Sequence, residues 1–544
     1  MQSFKKIIST LLIMVSMCMF CSCGSDNKTS KKTISAVTFN DVTEAKDYSS
    51  MASPSDRDPV AEDDEGIVIS EDFALSAEGV TIPVYASPVK FGGPHSYAYI
   101  TCNENDFPFT VKVSVLSRKS FGYADVIPEK LGVKTDIAEN EISFNVTGYE
   151  KYSLIIDKNY VKPLTVVVRK PEQVEIPANA NVIEYKAGVH DVNEIVVTKD
   201  DTWIYIHEGA IVRAAQPKSN PVVSKDGLGF ARWNSFIRAT GVKNLHIVGT
   251  GIIDFSHITC HARRGIEING SENVGIEGVT IINAAEWTVV TNQCKDVVID
   301  DLVLIGHRLN SDGVAIVDTQ NAVVTNCFAR TGDDHFEVKS ITKSSATGGN
   351  NIVFRNCKAW PDSCRGFGVI SETVNDISDV TFEDCAVLYR ITDWWLDSGA
   401  SEWYMGSLVI CLSDSGRVSN ITFRNIEIYS ETSSVSSDKR PLEEAYFINI
   451  AVGHNVWSLE NGKGEVGTLD GVVFENISCR KARRIQIKGG CSVTSTICDG
   501  RCKIDPEQVT GLVFRNVTVK GKKITSADDS VFDKKGTFGK ITVE

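Results

Sequence analysis

The chain has 544 residues, 42% of them hydrophobic, with a net charge of −14 and a pI near 5.3. That length exceeds one compact core, so a leader and two folded modules are expected. The acidic balance excludes a nucleic-acid partner, which needs a basic face to displace counterions, and no cofactor or metal is called for.

At the N-terminus, Lys5 and Lys6 precede an apolar run from Ile7 to Phe20, too short to span a bilayer comfortably. Ser22 then stands before Cys23 in Phe20-Cys21-Ser22-Cys23-Gly24, which resembles a bacterial lipobox. Residues 1–22 read as a lipoprotein signal peptide with Cys23 lipidated; an ordinary cleaved signal is the alternative. Either takes the mature chain to the cell envelope, as an outer-membrane-anchored lipoprotein or a periplasmic or extracellular protein, touching membrane through its lipid alone. Residues 23–66, rich in Ser, Asp, Lys and Thr and ending in Glu62-Asp63-Asp64-Glu65, read as a flexible tether. Over 67–174, short alternating runs such as Phe109-Thr110-Val111-Lys112-Val113 predict a small antiparallel β-sandwich.

From 175 to 544 an internal repeat takes over. Its unit is an apolar strand, then Asn or Asp, then an apolar residue: Val323-Val324-Thr325-Asn326-Cys327, Ile352-Val353-Phe354-Arg355-Asn356-Cys357, Val380-Thr381-Phe382-Glu383-Asp384-Cys385, and onward through Asn425, Asn476 and Asn516. Gly278 and Asp301 hold the same slot earlier. Repeats of this length, built of β-branched strands without helical period, predict an all-β chain whose main part is a right-handed parallel β-helix, behind the sandwich. Asn tolerates the left-handed corner and can ladder from coil to coil. A propeller would need hairpins that the pattern lacks. Cys327, Cys357 and Cys385 share one repeat position and read as buried hydrophobes, whereas Cys491, Cys498 and Cys502 cluster in a loop where a bridge is plausible.

Two acidic motifs stand out, Asn310-Ser311-Asp312-Gly313 and Gly332-Asp333-Asp334. The 21-residue separation of Asp312 and Asp333 is close to one coil, and equivalent positions on adjacent coils lie about 4.8 Å apart. Carboxyls that close raise one another's pKa, so a protonated acid can stand beside an ionised base, as glycosidic cleavage needs. Asp333 and Asp334 cannot both face solvent from an ideal strand; Gly332 offers the irregular backbone that would allow it. Without a reaction, the three aspartates would be turn residues satisfied by amides.

Glu286-Trp287-Thr288, Asn310-Ser311-Asp312-Gly313 and Gly332-Asp333-Asp334, with Lys339-Ser340 beyond, resemble glycoside hydrolase family 28, the polygalacturonases, and its clan relative family 49, the dextranases and isopullulanases. The likeness runs over most of 180–430, and the leading sandwich is closer in layout to family 49. It implies hydrolysis of a polysaccharide with inversion, Asp333 as general acid, and Asp312 and Asp334 positioning and deprotonating water. It also implies substrate contacts from Asn310, Trp287, Lys339 and Glu372; His335 and Arg264 are candidates for bonding substrate hydroxyls, with a surface or structural role as the alternative, and Trp394, Trp395, Trp403 and Tyr404 are further aromatic candidates.

The chain departs from family 28 in two places. Gly366-Phe367-Gly368 replaces Gly-His-Gly, and Val409-Ile410-Cys411 stands where an Arg-Ile-Lys would grip the substrate carboxylate. Arg484-Ile485-Gln486-Ile487-Lys488 is a partial match far downstream. A neutral glycan is therefore expected, with a polygalacturonase-type pectin hydrolase, a polysaccharide lyase and a non-catalytic glycan-binding β-helix as alternatives.

Overall fold

A computed structural model of the chain describes residues 32–40, 42, 66–215, 224–225, 231–343, 348–390, 405–429, 446–455, 457–460, 462, 465–481, 484–490 and 504–544. The expectations for Cys23, for Trp394, Trp395, Trp403 and Tyr404, and for Cys491, Cys498 and Cys502 lie outside these residues. No helix among the described residues is long and apolar enough to cross a membrane.

The described residues of 181–543 wind into a parallel β-helix. One face of the coil is an 11-stranded parallel sheet running from Ile195–Val197 to Phe532–Gly536. The other two faces merge into one 22-stranded sheet; in the middle coils only two residues separate the strands that form them, as Asp301 and Leu302 do between Lys295–Asp300 and Val303–Ile305. The first of the two is the repeat slot. Its φ is 56° at Asp301, 55° at Asn326, 53° at Asn356, 55° at Asp384, 54° at Asn425, 54° at Asn476 and 51° at Asn516. This left-handed turn suits Asn, whose amide then bonds the slot below: Asn356 Nδ2 donates to Asn326 Oδ1 (2.9 Å), Asn476 to Asn425 (2.9 Å) and Asn516 to Asn476 (2.8 Å).

Inside the coil, alternate strand residues stack on their counterparts. Phe354, Phe382, Phe423, Phe474 and Phe514 form a continuous column with centroids 4.8, 4.8, 5.0 and 5.1 Å apart. Each ring lies in the interior, and such burial contributes about 1.5–3 kcal/mol per side chain before stacking is counted. Cys327, Cys357 and Cys385 are buried free thiols in the same interior.

The sandwich differs from the expected antiparallel one. Its two sheets have seven and five strands, and the strand Asn159–Arg169 runs parallel to His95–Thr101. The expected tether also reaches into it: Ser35–Ala36 pairs with the His95–Thr101 strand, and Ile34, Val37 and Phe39 are buried. Alternation in Ile34-Ser35-Ala36-Val37-Thr38-Phe39 explains this, because a polar-rich stretch can still put one side inward.

Sandwich and coil share an apolar seam in which Tyr85, Tyr97, Tyr99 and Val167 pack with Ile252, Ile282, Phe328 and Trp360. Buried ions lock it. Lys358 pairs with Glu150 and Lys151 with Asp301, while Arg330, paired within the coil with Asp362 at 2.9 Å, donates across the seam to the Phe91 carbonyl at 3.1 Å. The sandwich thus covers one outer face of the coil, and the 11-stranded sheet, on another face, carries the acidic motifs.

Candidate active site

Five consecutive strands of that sheet frame the site: Ile266–Asn269, Val289–Asn292, Val314–Val317, Phe336–Ser340 and Phe367–Thr373. Just before each one comes a charged residue: Arg264, Glu286, Asp312, Asp334 and Arg365. Stacking in register sets these side chains one coil apart, because Thr288 N–H donates to the Asp312 carbonyl (2.7 Å) and Gly313 N–H to that of Asp334 (2.7 Å). The glycines are forced. A Cβ on Gly313 would meet the His335 carbonyl at 2.3 Å, and one on Gly332 the Arg308 carbonyl at 2.0 Å.

Asp333 and Asp334 sit in the turn before Phe336–Ser340 rather than within the strand, which removes the conflict over their facing. Asp333 is half-buried and accepts the Asp334 amide at 3.0 Å; Asp334 is buried. Asp334 accepts from the Arg365 guanidinium at 2.7 Å and from the Arg365 backbone N–H at 3.1 Å, a charge-assisted, two-point contact that fixes the position of its side chain. Arg365 was not singled out from the sequence. Its signal is its place one coil beyond Asp334, visible only once the register is known.

Glu337 was missed as well. In Phe336-Glu337-Val338-Lys339 the apolar residues point inward, so Glu337 and Lys339 share the outward face; period-two reading of that strand would have found it. One oxygen from each of Asp312, Asp334 and Glu337 lies within 4.8 Å of the others. Lys339 closes the cluster, its Nζ 3.1 Å from Glu337, 3.7 Å from Asp312, 3.7 Å from Glu372 and 4.0 Å from Asp334.

Burial first, then Glu337 and Asp333, push the Asp312 carboxyl well above the usual range. Burial likewise carries Glu337 up to about 8, with Asp334 adding to it and Lys339 opposing. Burial also raises Glu372, against the pull of Lys339. Although burial disfavours the Lys339 ammonium, Glu337, Glu372, Asp312 and Asp334 outweigh it and keep the charge in place. A protonated carboxyl beside ionised ones is the electrostatic condition for acid–base work.

The other expected contact residues are placed differently. His335 is fully buried, its Nδ1 on the Arg365 carbonyl at 3.0 Å, and burial lowers its pKa to about 4; it supports the turn and cannot reach a substrate hydroxyl. Trp287 is 9% exposed and packs on Val290, Ala315 and Val317, with the Arg264 guanidinium 4.3 Å and Lys339 Nζ 4.8 Å from its ring centre. It is a platform for cations, not an open face for a sugar. Asn310 is half-buried in the left-handed region (φ 62°) two residues before Asp312. Glu372 is half-buried.

Two coils before Asp334 and beyond, a cavity of about 320 Å³ is lined by Arg232, Trp233, Arg238, Arg264, Glu267 and Glu286 among others. Arg264 donates to Glu267 at 2.6 Å, Arg232 pairs with Glu286, and Arg238 lies 3.7 Å from Glu194, which Arg263 also approaches at 3.7 Å. On the opposite side Phe367 stacks inward on Phe336 at 5.1 Å. Val409 and Cys411, in register with Gly368 and Ile370, join an apolar cluster with Cys364, Met405 and Ala451.

Residues 224–439, which contain this whole acidic cluster, match the family model of Glycosyl hydrolases family 28. A polygalacturonase of Chamaecyparis obtusa is 22% identical over 331 residues, 55% of this chain and 55% of the relative. One of Juniperus ashei is 24% identical over 279 residues, 48% and 49% of the two chains. The chain thus spans about half the length of the curated relatives it matches. Among solved structures, the family 28 exopolygalacturonase of Yersinia enterocolitica is 14% identical, with 76% of this chain and 97% of that chain covered and a TM-score of 0.37.

Proposed function

We propose that the chain is a glycoside hydrolase of the polygalacturonase type, cutting O-glycosidic bonds of a galacturonate-containing polysaccharide by single displacement. The observation that carries this reading is the carboxyl cluster of Asp312, Asp334 and Glu337 beneath the half-exposed Asp333, at the ends of stacked strands. Asp333, at the surface, protonates the leaving glycosidic oxygen. Asp312 and Asp334, held from below by Lys339 and from the side by Arg365, position a water and take its proton as its oxygen attacks the anomeric carbon.

The names of the relatives move the substrate from the neutral glycan expected above to an acidic one. Arg232, Arg238 and Arg264 line the neighbouring cavity with Glu267 and Glu286, one cation in excess among the lining residues, which suits a substrate carboxylate in an otherwise acidic chain. A neutral glycan is kept as a second reading because Val409 and Cys411, both buried, offer no charge at the positions where the family 28 resemblance places a pair that grips the carboxylate. The test is release of reducing ends from polygalacturonate, its methyl ester and a panel of neutral glycans, with Asp333→Asn as control. Turnover of polygalacturonate that falls by orders of magnitude in the variant supports the reading. Activity confined to neutral glycans rejects the substrate, and an ultraviolet-absorbing unsaturated product rejects hydrolysis.

Export with lipidation at Cys23 is also proposed, on the strength of the small Ser22 before it. A Cys23→Ala protein should leave the membrane fraction; if it stays there as the parent does, the anchor is elsewhere.

A further inference from the structure

Glu337 has no part in the reaction just described, yet it is the most deeply buried carboxylate of the cluster, with no exposed surface. Its strand neighbours are Ala315 on the coil before and Gly368 on the coil after, so no bulky side chain shields it from Asp312. Neither oxygen of Glu337, nor Oδ1 of Asp312, receives a hydrogen bond from any described group; Lys339 meets Glu337 as an ion pair. Asp334, by contrast, has both a guanidinium and an amide.

The charges that face Glu337 are Asp312 from the coil before, Asp333, Asp334 and Lys339 from its own coil, and Arg365 and Glu372 from the coil after. Five carboxyls, Glu337 included, thus share two cations. The central position a metal ion would take is already filled by the Lys339 ammonium, within 4.0 Å of Asp312, Asp334 and Glu337. That single ammonium is spread over Asp312, Asp334, Glu337 and Glu372, so two carboxyl groups buried side by side there repel unless a proton lies between them.

We infer that Glu337 is a positioning residue of the hydrolysis: it shares one proton with Asp312, and this hydrogen bond holds Asp312 in line with the attacking water. The direction of the pKa shifts at both carboxyls agrees with that arrangement. The proton stays within the pair through the cycle, so it adds nothing to the balance of the hydrolytic step. The inference rests on the hydrolytic reading above, but its central feature can be observed without turnover.

The experiment compares the wild type with Glu337→Gln and Glu337→Ala. Infrared spectra of the wild type should contain a protonated-carboxyl band at neutral pH that titrates away around pH 8, where Glu337 loses its proton, and that is missing from Glu337→Gln. In kinetics, Glu337→Gln should keep kcat within about tenfold, because its amide N–H replaces the shared proton, whereas Glu337→Ala should lose about a hundredfold in kcat with KM unchanged. A wild-type spectrum without the band, in an active enzyme, overturns the pairing alone. An Ala variant as active as the wild type, or a Gln variant as impaired as the Ala one, overturns the positioning role. If the Ala variant fails to fold, the spectrum and the Gln variant decide. A protein that has the band but cuts no glycan overturns the hydrolytic reading instead.

Discussion

Each carboxyl of the site is set by a different neighbour. Asp334 is tied to Arg365, Asp333 reaches the surface, and Asp312 faces Glu337 and Lys339 in the interior. Removing the guanidinium while keeping a charge should expose the difference. Arg365→Lys keeps the backbone N–H contact but replaces the rigid, planar guanidinium with a flexible ammonium, so kcat on the true substrate is expected to fall at least tenfold with little change in thermal stability. An unchanged kcat would mean Asp334 needs no such partner. Burial of Glu337 carries a second consequence. Its folded pKa is raised from 4.5 to about 8, so the stabilisation it brings is full below pH 4.5 and is lost as pH rises through about 8. Stability should therefore decline between pH 5 and pH 8, by at most about 1.4 kcal/mol per pH unit for that proton, and Glu337→Gln should flatten the decline. Thermal melts across that range read both curves; parallel curves would deny that Glu337 titrates there.

At the scale of the element, the coil is held by ladders as much as by its core. Asn476 donates to Asn425 and accepts from Asn516 while occupying φ 54°, so Asn476→Ala loses two hydrogen bonds and gains left-handed strain. About 2–3 kcal/mol of destabilisation is expected, less for Asn476→Gly, and the loss should concentrate in the adjacent coils, since stacked repeats stabilise their neighbours. Hydrogen exchange measured coil by coil checks this; uniform weakening would contradict it. These ladders explain why the fold could be read from the sequence. The slot at Asn326, Asn356 and Asp384 is a backbone requirement, so it recurs at each coil in plain sight. The one-coil interval between Asp312 and Asp333 was legible for the same reason. Glu337 and Arg365 were not, because each matters through residues a full coil away, and His335 and Trp287 were misplaced because burial is decided by neighbouring coils that a local pattern does not contain. The mixed sandwich sheet escaped notice because its parallel pair, Asn159–Arg169 with His95–Thr101, joins segments distant in the chain.

Across the whole molecule, the sandwich is bound to the coil through buried charge as well as apolar contact. Lys358 is nearly inaccessible and depends on Glu150 from the sandwich. Glu150→Gln should leave that ammonium uncompensated and cost about 3–5 kcal/mol, while Glu150→Met combined with Lys358→Met should recover most of the loss. Chemical denaturation of the single and double variants reads the coupling, and simple additivity would show that the pair does not join the two modules. The seam bears on the proposed function because it braces the coils that hold the acidic strands from a face other than theirs. Hydrolysis by single displacement at that face is tested most directly by NMR of the first product released from polygalacturonate. The expected result is a new reducing end of anomeric configuration opposite to that of the bond cut, appearing before mutarotation and absent from Asp333→Asn; a first product of retained configuration, or one unaffected by that substitution, would contradict it.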